Sequence, residues 1–243
     1  MTVQRLLTLA ALVICISGCG QTPSAIAAGD PAFDAKMRQY LLAHPEVIEE
    51  AMAKLEERKQ AAAEQVLAQR INTHRAALER DPRDFVINPN GKLTVVEFFD
   101  YRCSFCKLAE PELAKLIKAN PDVRFVFKEF VIFGAESEAA ARAAIGARAQ
   151  GKYYNLHQRF MAEKALTSAS LPRLMQSSGV DTAAATKAGA QDVVTKQLND
   201  AKILAQQLGV QGTPAFFVGD VMIPGADMEA LSAAIAAAKG KKV

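Results

Sequence analysis

Two cysteines three positions apart, Cys103 and Cys106, are the residues best suited to chemistry in this 243-residue chain. A C-x-x-C pair has three ordinary uses: half of a zinc site, a structural disulfide, or a redox dithiol. A structural zinc needs four ligands. Of the four cysteines the other two, Cys15 and Cys19, lie at the N-terminal end, and His44, His74 and His157 are scattered over helical patterns in surface or seam roles. A disulfide between residues three apart closes too small a loop to restrain the unfolded chain much. The redox use gains from position, because Cys103 falls where a strand pattern ends and a helical pattern begins. There its sulfur meets unpaired backbone N–H groups and the positive end of a helix dipole, which favours the thiolate. The thiolate is the species that attacks a disulfide. Cys106, one helical turn on and facing inward, is then placed to attack the mixed disulfide and release product.

Glu97 stands in the middle of the apolar run Leu93 to Phe99. An ionisable side chain there is expensive to bury unless it is paired or neutral. Two structural explanations exist, a strand that ends early and leaves Glu97 wet, or a pairing with Lys128 on the next strand. Pro214, between Gly212-Thr213 and an apolar run, reads by itself as a turn residue.

The elements that must hold these residues are written around them. Leu93 to Phe99 and Val123 to Phe130 are β-branched and aromatic runs bounded by Asn90-Gly91 and Asn120-Pro121. Between them a helix runs from the C-x-x-C through Leu108, Leu113, Leu116 and Ile117, with Pro111 inside it. A right-handed crossover of this kind makes the two strands parallel. Residues 136–207 are Ala-rich and helical in pattern, with no strand. Ala215 to Val218 and Val221 to Ile223 flank a Gly219-Asp220 turn, and Met228 to Ala238 closes the chain as an amphipathic helix. The order is β, α, β, a helical block, then β, β, α.

Upstream the chain is different in kind. Asp30-Pro31 starts a helix carrying Phe33, Met37, Tyr40 and Leu41 on one face and stopping near His44. Pro45 opens a longer one in which Ile48, Met52, Leu55, Ala62 and Val66, then Leu67, Ile71, His74 and Leu78, recur at spacings of three or four. Lys59 interrupts that stripe, and it shifts by one residue between Val66 and Leu67. So narrow a stripe needs a partner, either another subunit or the chain's own globular domain.

Arg5 followed by the apolar run Leu6 to Ile16 has the length of a signal-peptide core, too short to span a bilayer as a mature helix. Ile16-Ser17-Gly18-Cys19 fits a lipobox with Cys19 as the acylated residue, and Ala25-Ile26-Ala27 fits ordinary signal peptidase. The expectation is an exported protein. Either cleavage leaves Cys103 and Cys106 as the free thiols. Half of the residues are hydrophobic, and the net charge of +3 is spread through interleaved Lys, Arg, Asp and Glu, which excludes a nucleic-acid-binding footprint.

Val96-Glu97-Phe98-Phe99-Asp100-Tyr101-Arg102-Cys103-Ser104-Phe105-Cys106-Lys107 resembles the active-site segment of the DsbA family of bacterial periplasmic disulfide oxidoreductases. The likeness extends to Phe127-Lys128-Glu129-Phe130 and to Gly209 through Val218, which resembles that family's cis-proline loop. Tyr40-Leu41-Leu42 and Pro45-Glu46-Val47-Ile48 are similar to the oligomerisation segment of the ScsC-like subgroup, whose members can be trimers and isomerases. The resemblance implies an α/β protein with a thioredoxin-like fold over residues 85–243, a helical insertion at about 136–207, and an N-terminal helical stalk over 30–82 behind a signal peptide (1–27, or 1–18 for a lipoprotein). It implies a protein disulfide oxidoreductase or isomerase with Cys103 and Cys106 as the redox-active disulfide. Glu97 would manage the proton of the buried thiol, and Thr213 and a cis Pro214 would hold a substrate strand. It implies no cofactor and no metal. The partners implied are exported cysteine-containing clients, a membrane redox partner and other copies of the chain, with a possible lipid anchor on Cys19. The dipeptide Ser104-Phe105 lacks the histidine of strongly oxidising members, which points to a weaker oxidant. A different use of the same two thiolates is to hold Cu(I), since soft sulfur selects that ion.

Overall fold

A computed structural model describes residues 30–240. The proposed leader, with Cys19 and both cleavage sites, lies outside the described residues. The chain divides into two compact units, Met1–Glu57 and Arg58–Val243.

In the first unit Asp30 caps helix α1 (Pro31–Ala43), its carboxylate accepting from the Ala32 N–H at 3.0 Å, with Pro31 in the first turn as the sequence predicts. The chain breaks at His44-Pro45 and re-enters helix α2 (Glu46–Glu79), which continues into the second unit. Helix α1 buries nothing, and Phe33, Met37, Tyr40, Ile48, Met52 and Leu55 are all exposed.

In the second unit the α2 stripe changes character at the one-residue shift seen in the sequence. Val66 is exposed, Leu67 is partly covered, and Ile71 and Leu78 are fully buried against the domain. Of the two partners anticipated for the stripe, the domain's own sheet is the one that covers its later part, while Ile48, Met52, Leu55 and Val66 are exposed.

The sheet consists of β1 (Phe85–Ile87), β2 (Leu93–Phe99), β3 (Val123–Glu129), β4 (Ala215–Val218) and β5 (Val221–Pro224), in the order β1-β3-β2-β4-β5. β2 and β3 are parallel, joined through α3 (Ser104–Ala119), and the remaining pairings are antiparallel. β1 has no counterpart in the sequence reading. Three residues, followed at once by Asn88 with a φ of +53°, are too short to show a period. Its pairing with β3 supplies the hydrogen bonds that make it a strand. Helices α4 (Ala135–Gly146), α5 (Tyr153–Ala162), α6 (Leu171–Ser177), α7 (Thr182–Gly189) and α8 (Asp192–Leu208) fill the expected helical block, and α9 (Met228–Gly240) ends the described chain.

Because side chains alternate across a strand, each central strand serves two cores. Val95 and Phe99 of β2, with Phe125 and Phe127 of β3, pack with α3, α5 and α9. Val96, Phe98 and Val126 face the other way, toward Ile71 and Leu78 of α2 and Leu204 and Leu208 of α8. The same alternation sends Glu97 to the α3 side and Lys128 to the α2 side, so the Glu97–Lys128 pairing weighed above does not form. Lys128 instead makes a buried ion pair with Asp84 and donates to the Ala77 carbonyl, while Arg124 donates to that of Glu79. These two cations cap the last carbonyls of α2 and fix that end to β3. No helix among the described residues is long and apolar enough to cross a membrane.

Candidate active site

Cys103 is the N-cap of α3. It has extended backbone angles, and its sulfur accepts from the Cys106 N–H at 3.3 Å. That donor is one the helix leaves unpaired. Both thiols are free and both residues are buried. The Cys106 thiol and the backbone N–H groups of Cys106 and Phe105 bring the Cys103 thiol down to about 6 from an ordinary 9.0, with the Thr213 side chain acting in the same sense and burial opposing. One contact works the other way: protonated Cys103 donates to the Thr213 carbonyl at 3.1 Å, a bond that ionisation gives up. The amides outnumber it, so the thiolate is favoured. Burial raises Cys106 far above the ordinary thiol range, helped by Cys103 and by Glu97.

The Thr213–Pro214 peptide is cis, and the Pro214 carbonyl accepts from the Gly225 N–H at 2.8 Å. A hollow of about 480 Å³ lined by Val210, Thr213, Pro214, Met222 and Pro224 lies beside this loop. A larger hollow of about 900 Å³, around Asn90, Lys92, Pro121 and Lys239, includes neither cysteine.

Glu97 lies under the dithiol, 4% exposed on a strand paired on both edges, with Phe127 and Phe216 beside it. It is not the wet end of a short strand. Its Oε2 has no hydrogen-bond partner, and burial, then the charges of Glu110, Cys103 and Glu129, hold the carboxyl well above its usual range.

Several residues of this neighbourhood are ones the sequence reading passed over. Tyr101 and Tyr153 both donate to Glu129 Oε1, at 3.2 and 2.7 Å. His157, given a surface or seam role above, is completely buried instead, with Nδ1 3.2 Å from the Tyr101 hydroxyl and Nε2 3.2 Å from Glu110 Oε2. The pattern held the signal. Tyr153, Leu156, His157, Phe160 and Met161 form the buried face of α5, and Cys106, Glu110, Leu113 and Ile117 that of α3. A polar residue on such a face is a buried polar residue. Asp100 also does more than its place in the motif suggests. Its carboxylate accepts from the Arg102, Ile132 and Phe133 N–H groups and from the Ser137 hydroxyl, tying the loop after β3 to the Cys103 turn. Lys107 donates to the carbonyls of Phe160 and Glu163, capping α5 from α3.

Burial pushes Glu129 up to about 8 from an ordinary 4.5, against the two tyrosine hydrogen bonds. Between those values the folded chain holds a proton that the unfolded chain has lost, so stability must fall as pH rises through this window. Glu97 acts in the same direction. Denaturation midpoints measured from about pH 5 to about pH 8 should decline, and Glu129→Gln should flatten the decline. An unchanged slope in that variant would mean that Glu129 ionises at its ordinary value.

A dithiol capping a helix that follows a central strand, opposite a cis X-Pro loop, is the arrangement of a thiol–disulfide oxidoreductase of thioredoxin-like fold. The DSBA-like thioredoxin domain matches residues 94–236, and the chain belongs to that family. Residues 32–62 match the N-terminal domain of copper resistance protein ScsC. BcfH of Salmonella enterica Typhimurium is 35% identical with a TM-score of 0.71, the match covering 86% of this chain and 95% of that one. Proteus mirabilis ScsC in a transitional conformation is 32% identical with a TM-score of 0.66, covering 87% and 97%. A thioredoxin-like oxidoreductase from Silicibacter pomeroyi is 38% identical with a TM-score of 0.67, covering 69% and 99%. The fold expected from the sequence is the one found. Among curated relatives, a Na(+)/H(+) antiporter NhaA 3 of Salinispora tropica is 33% identical over 173 residues, and the match spans only 25% of its length. Its transport activity is said of that longer protein.

Proposed function

We propose that this chain exchanges disulfides in exported proteins of the periplasm: Cys103 attacks, Cys106 resolves, Glu97 handles the proton of Cys106, and Thr213 with Pro214 presents the substrate strand. The observation that carries the reading is the opposed pair of thiols at the start of α3, one held near 6 by the Cys106 thiol and the helix amides and the other raised by burial. At pH 7 a thiol at about 6 is roughly nine-tenths thiolate, against about 1% at 9.0, a gain near 90-fold. Lower basicity returns about 16- to 32-fold of that through weaker nucleophilicity, so the net gain in attack is only a few-fold. The larger benefit is to Cys103 as a leaving group, which favours passing disulfides on or reshuffling them. Whether the direction is oxidation or isomerisation follows from the partner that keeps the dithiol oxidised or reduced.

Phe105 and Leu108 on the first turns of α3, and Ile132 and Phe133 on the loop bound to Asp100, are exposed apolar groups around the dithiol that suit unfolded clients. The bare stripe of α1 and early α2 supports self-association, with a trimer as the number the ScsC-like resemblance implies. A lipid on Cys19 would tether the assembly to a membrane.

Two measurements test the reading. Thiolate absorbance of the reduced protein should titrate near pH 6 and vanish in Cys103→Ser, with exchange on a scrambled client lost alongside. Stoichiometric Cu(I) binding without exchange would overturn it in favour of a copper-holding thiol pair. Light-scattering mass of the protein with and without residues 30–57 should fall from oligomer to monomer, and a monomeric longer form would refute the stalk's role.

A further inference from the structure

Beneath the dithiol, four polar side chains from four parts of the chain join end to end: Glu110 of α3, His157 of α5, Tyr101 after β2, and Glu129 at the end of β3. Glu110 and His157 are 3.2 Å apart, His157 and Tyr101 3.2 Å, and Tyr101 and Glu129 3.2 Å. All four are buried. The imidazole is fixed by its surroundings, stacked on Tyr153 and Tyr154 and edge-on to Phe99 and Phe127, so its ring stays put while its proton can change sides.

Counting protons allows the chain two arrangements. In one, Glu110 Oε2–H donates to His157 Nε2, His157 Nδ1–H donates to the Tyr101 oxygen, and Tyr101 O–H donates to the Glu129 carboxylate. In the other, Glu129 Oε1–H donates to the Tyr101 oxygen, Tyr101 O–H donates to Nδ1, and Nε2–H donates to the Glu110 carboxylate. Moving each of the three protons one bond converts the first into the second. One proton leaves Glu110, one arrives at Glu129, the imidazole changes tautomer, and the charge stays at −1 throughout.

We propose that Glu110, His157, Tyr101 and Glu129 are a buried proton wire that carries the Cys106 proton away from Glu97 and stores it on Glu129 when Cys106 resolves a mixed disulfide. The inference rests on the proposed relay role of Glu97. In balanced form, the Cys106 S–H proton passes to the Glu97 carboxylate and on to Glu110, and the wire delivers a proton to Glu129. The Cys106 sulfur bonds to Cys103, and the substrate sulfur leaves as thiolate.

Two further observations support this. Glu97 Oε2 and Glu110 Oε1 are both buried without a partner, leaving each acid an open position for a proton, and Glu110 is the charge that most affects Glu97. Glu129 is held by Tyr101 and Tyr153 with Asp100 and Asp84 as its charged neighbours, and its elevation to about 8 suits a store that fills and empties near neutrality. Lys128, next in sequence, points to the opposite core and pairs with Asp84.

The test is stopped-flow kinetics on the full chain with separate readings of attack, in a Cys106→Ser background, and of resolution, from decay of the mixed disulfide. Tyr101→Phe cuts the wire and keeps the ring. Glu129→Gln removes the store. His157→Gln keeps polar groups but cannot change tautomer. Each should slow resolution about 10- to 100-fold while attack changes less than about two-fold. Infrared difference spectra on reduction should show the loss of a protonated buried carboxyl, a band absent from the spectra of Glu129→Gln. A structural role would give no such band in the native protein and would not separate the two steps. Resolution at the native rate in the variants that fold, or equal slowing of both steps, overturns the wire. Glu97→Gln slowing resolution while Tyr101→Phe does not would reject the wire and leave the Glu97 relay standing. Full exchange in Cys103→Ser would instead reject the function beneath both.

Discussion

Cys103→Ser should reduce disulfide exchange by about 1,000-fold or more, because a serine hydroxyl at neutral pH supplies neither the anion nor the sulfur on which exchange depends. Cys106→Ser should behave differently. Cys103 keeps its helix-amide contacts in that variant, since the donor is the backbone N–H of residue 106. Attack continues, resolution fails, and clients accumulate as mixed disulfides visible on non-reducing gels. The Cys103 thiol should also titrate higher, because the Cys106 thiol is the largest influence holding it down. Equal loss of attack in the two variants would show that the roles are not divided this way.

Lys128→Met should destabilise the domain by about 3–5 kcal/mol, the usual consequence of leaving one member of a buried ion pair alone. Both side chains are nearly solvent-free, with 2% of Lys128 and 3% of Asp84 exposed. Asp84 already sits at about 6, raised by burial and held from rising further by Lys128. Without the lysine the folded-state value climbs. The penalty is therefore greatest at about pH 8 and shrinks toward about pH 5, where the folded chain can take up the proton. Urea denaturation at the two pH values measures it, and Asp84→Asn combined with Lys128→Met should restore most of the loss. A single-variant effect below about 1 kcal/mol would mean that water reaches the pair.

The dithiol, the strand–helix–strand order and the helical block are legible in the sequence because each is local: a cap residue, a period of two, a period near 3.6. Glu97 is legible as an anomaly in an apolar run. What it meets is less so, because Glu110, His157, Tyr101 and Glu129 come together only when α5 folds onto the sheet. Each nonetheless marks itself by taking an apolar position in its own element, as His157 does between Leu156 and Phe160. β1 is a different case. Three residues carry no period, and only the free edge of β3 makes them a strand. The docking of α2 on the domain left a trace as well, the one-residue shift at Val66-Leu67 where exposure gives way to burial.

The Asp100 carboxylate has a consequence for how such a protein changes its clients. By gathering four hydrogen bonds from Arg102, Ile132, Phe133 and Ser137, it holds the backbone of the loop after β3 in place independently of the side chains at 132 and 133. Ile132 and Phe133 are exposed, and the groups committed are on their backbone, the two amides to Asp100 and the Phe133 carbonyl to Arg102. Their side chains can thus be exchanged for others with little loss of order, so client preference can drift by surface substitution while the frame around the reactive sulfur is inherited unchanged.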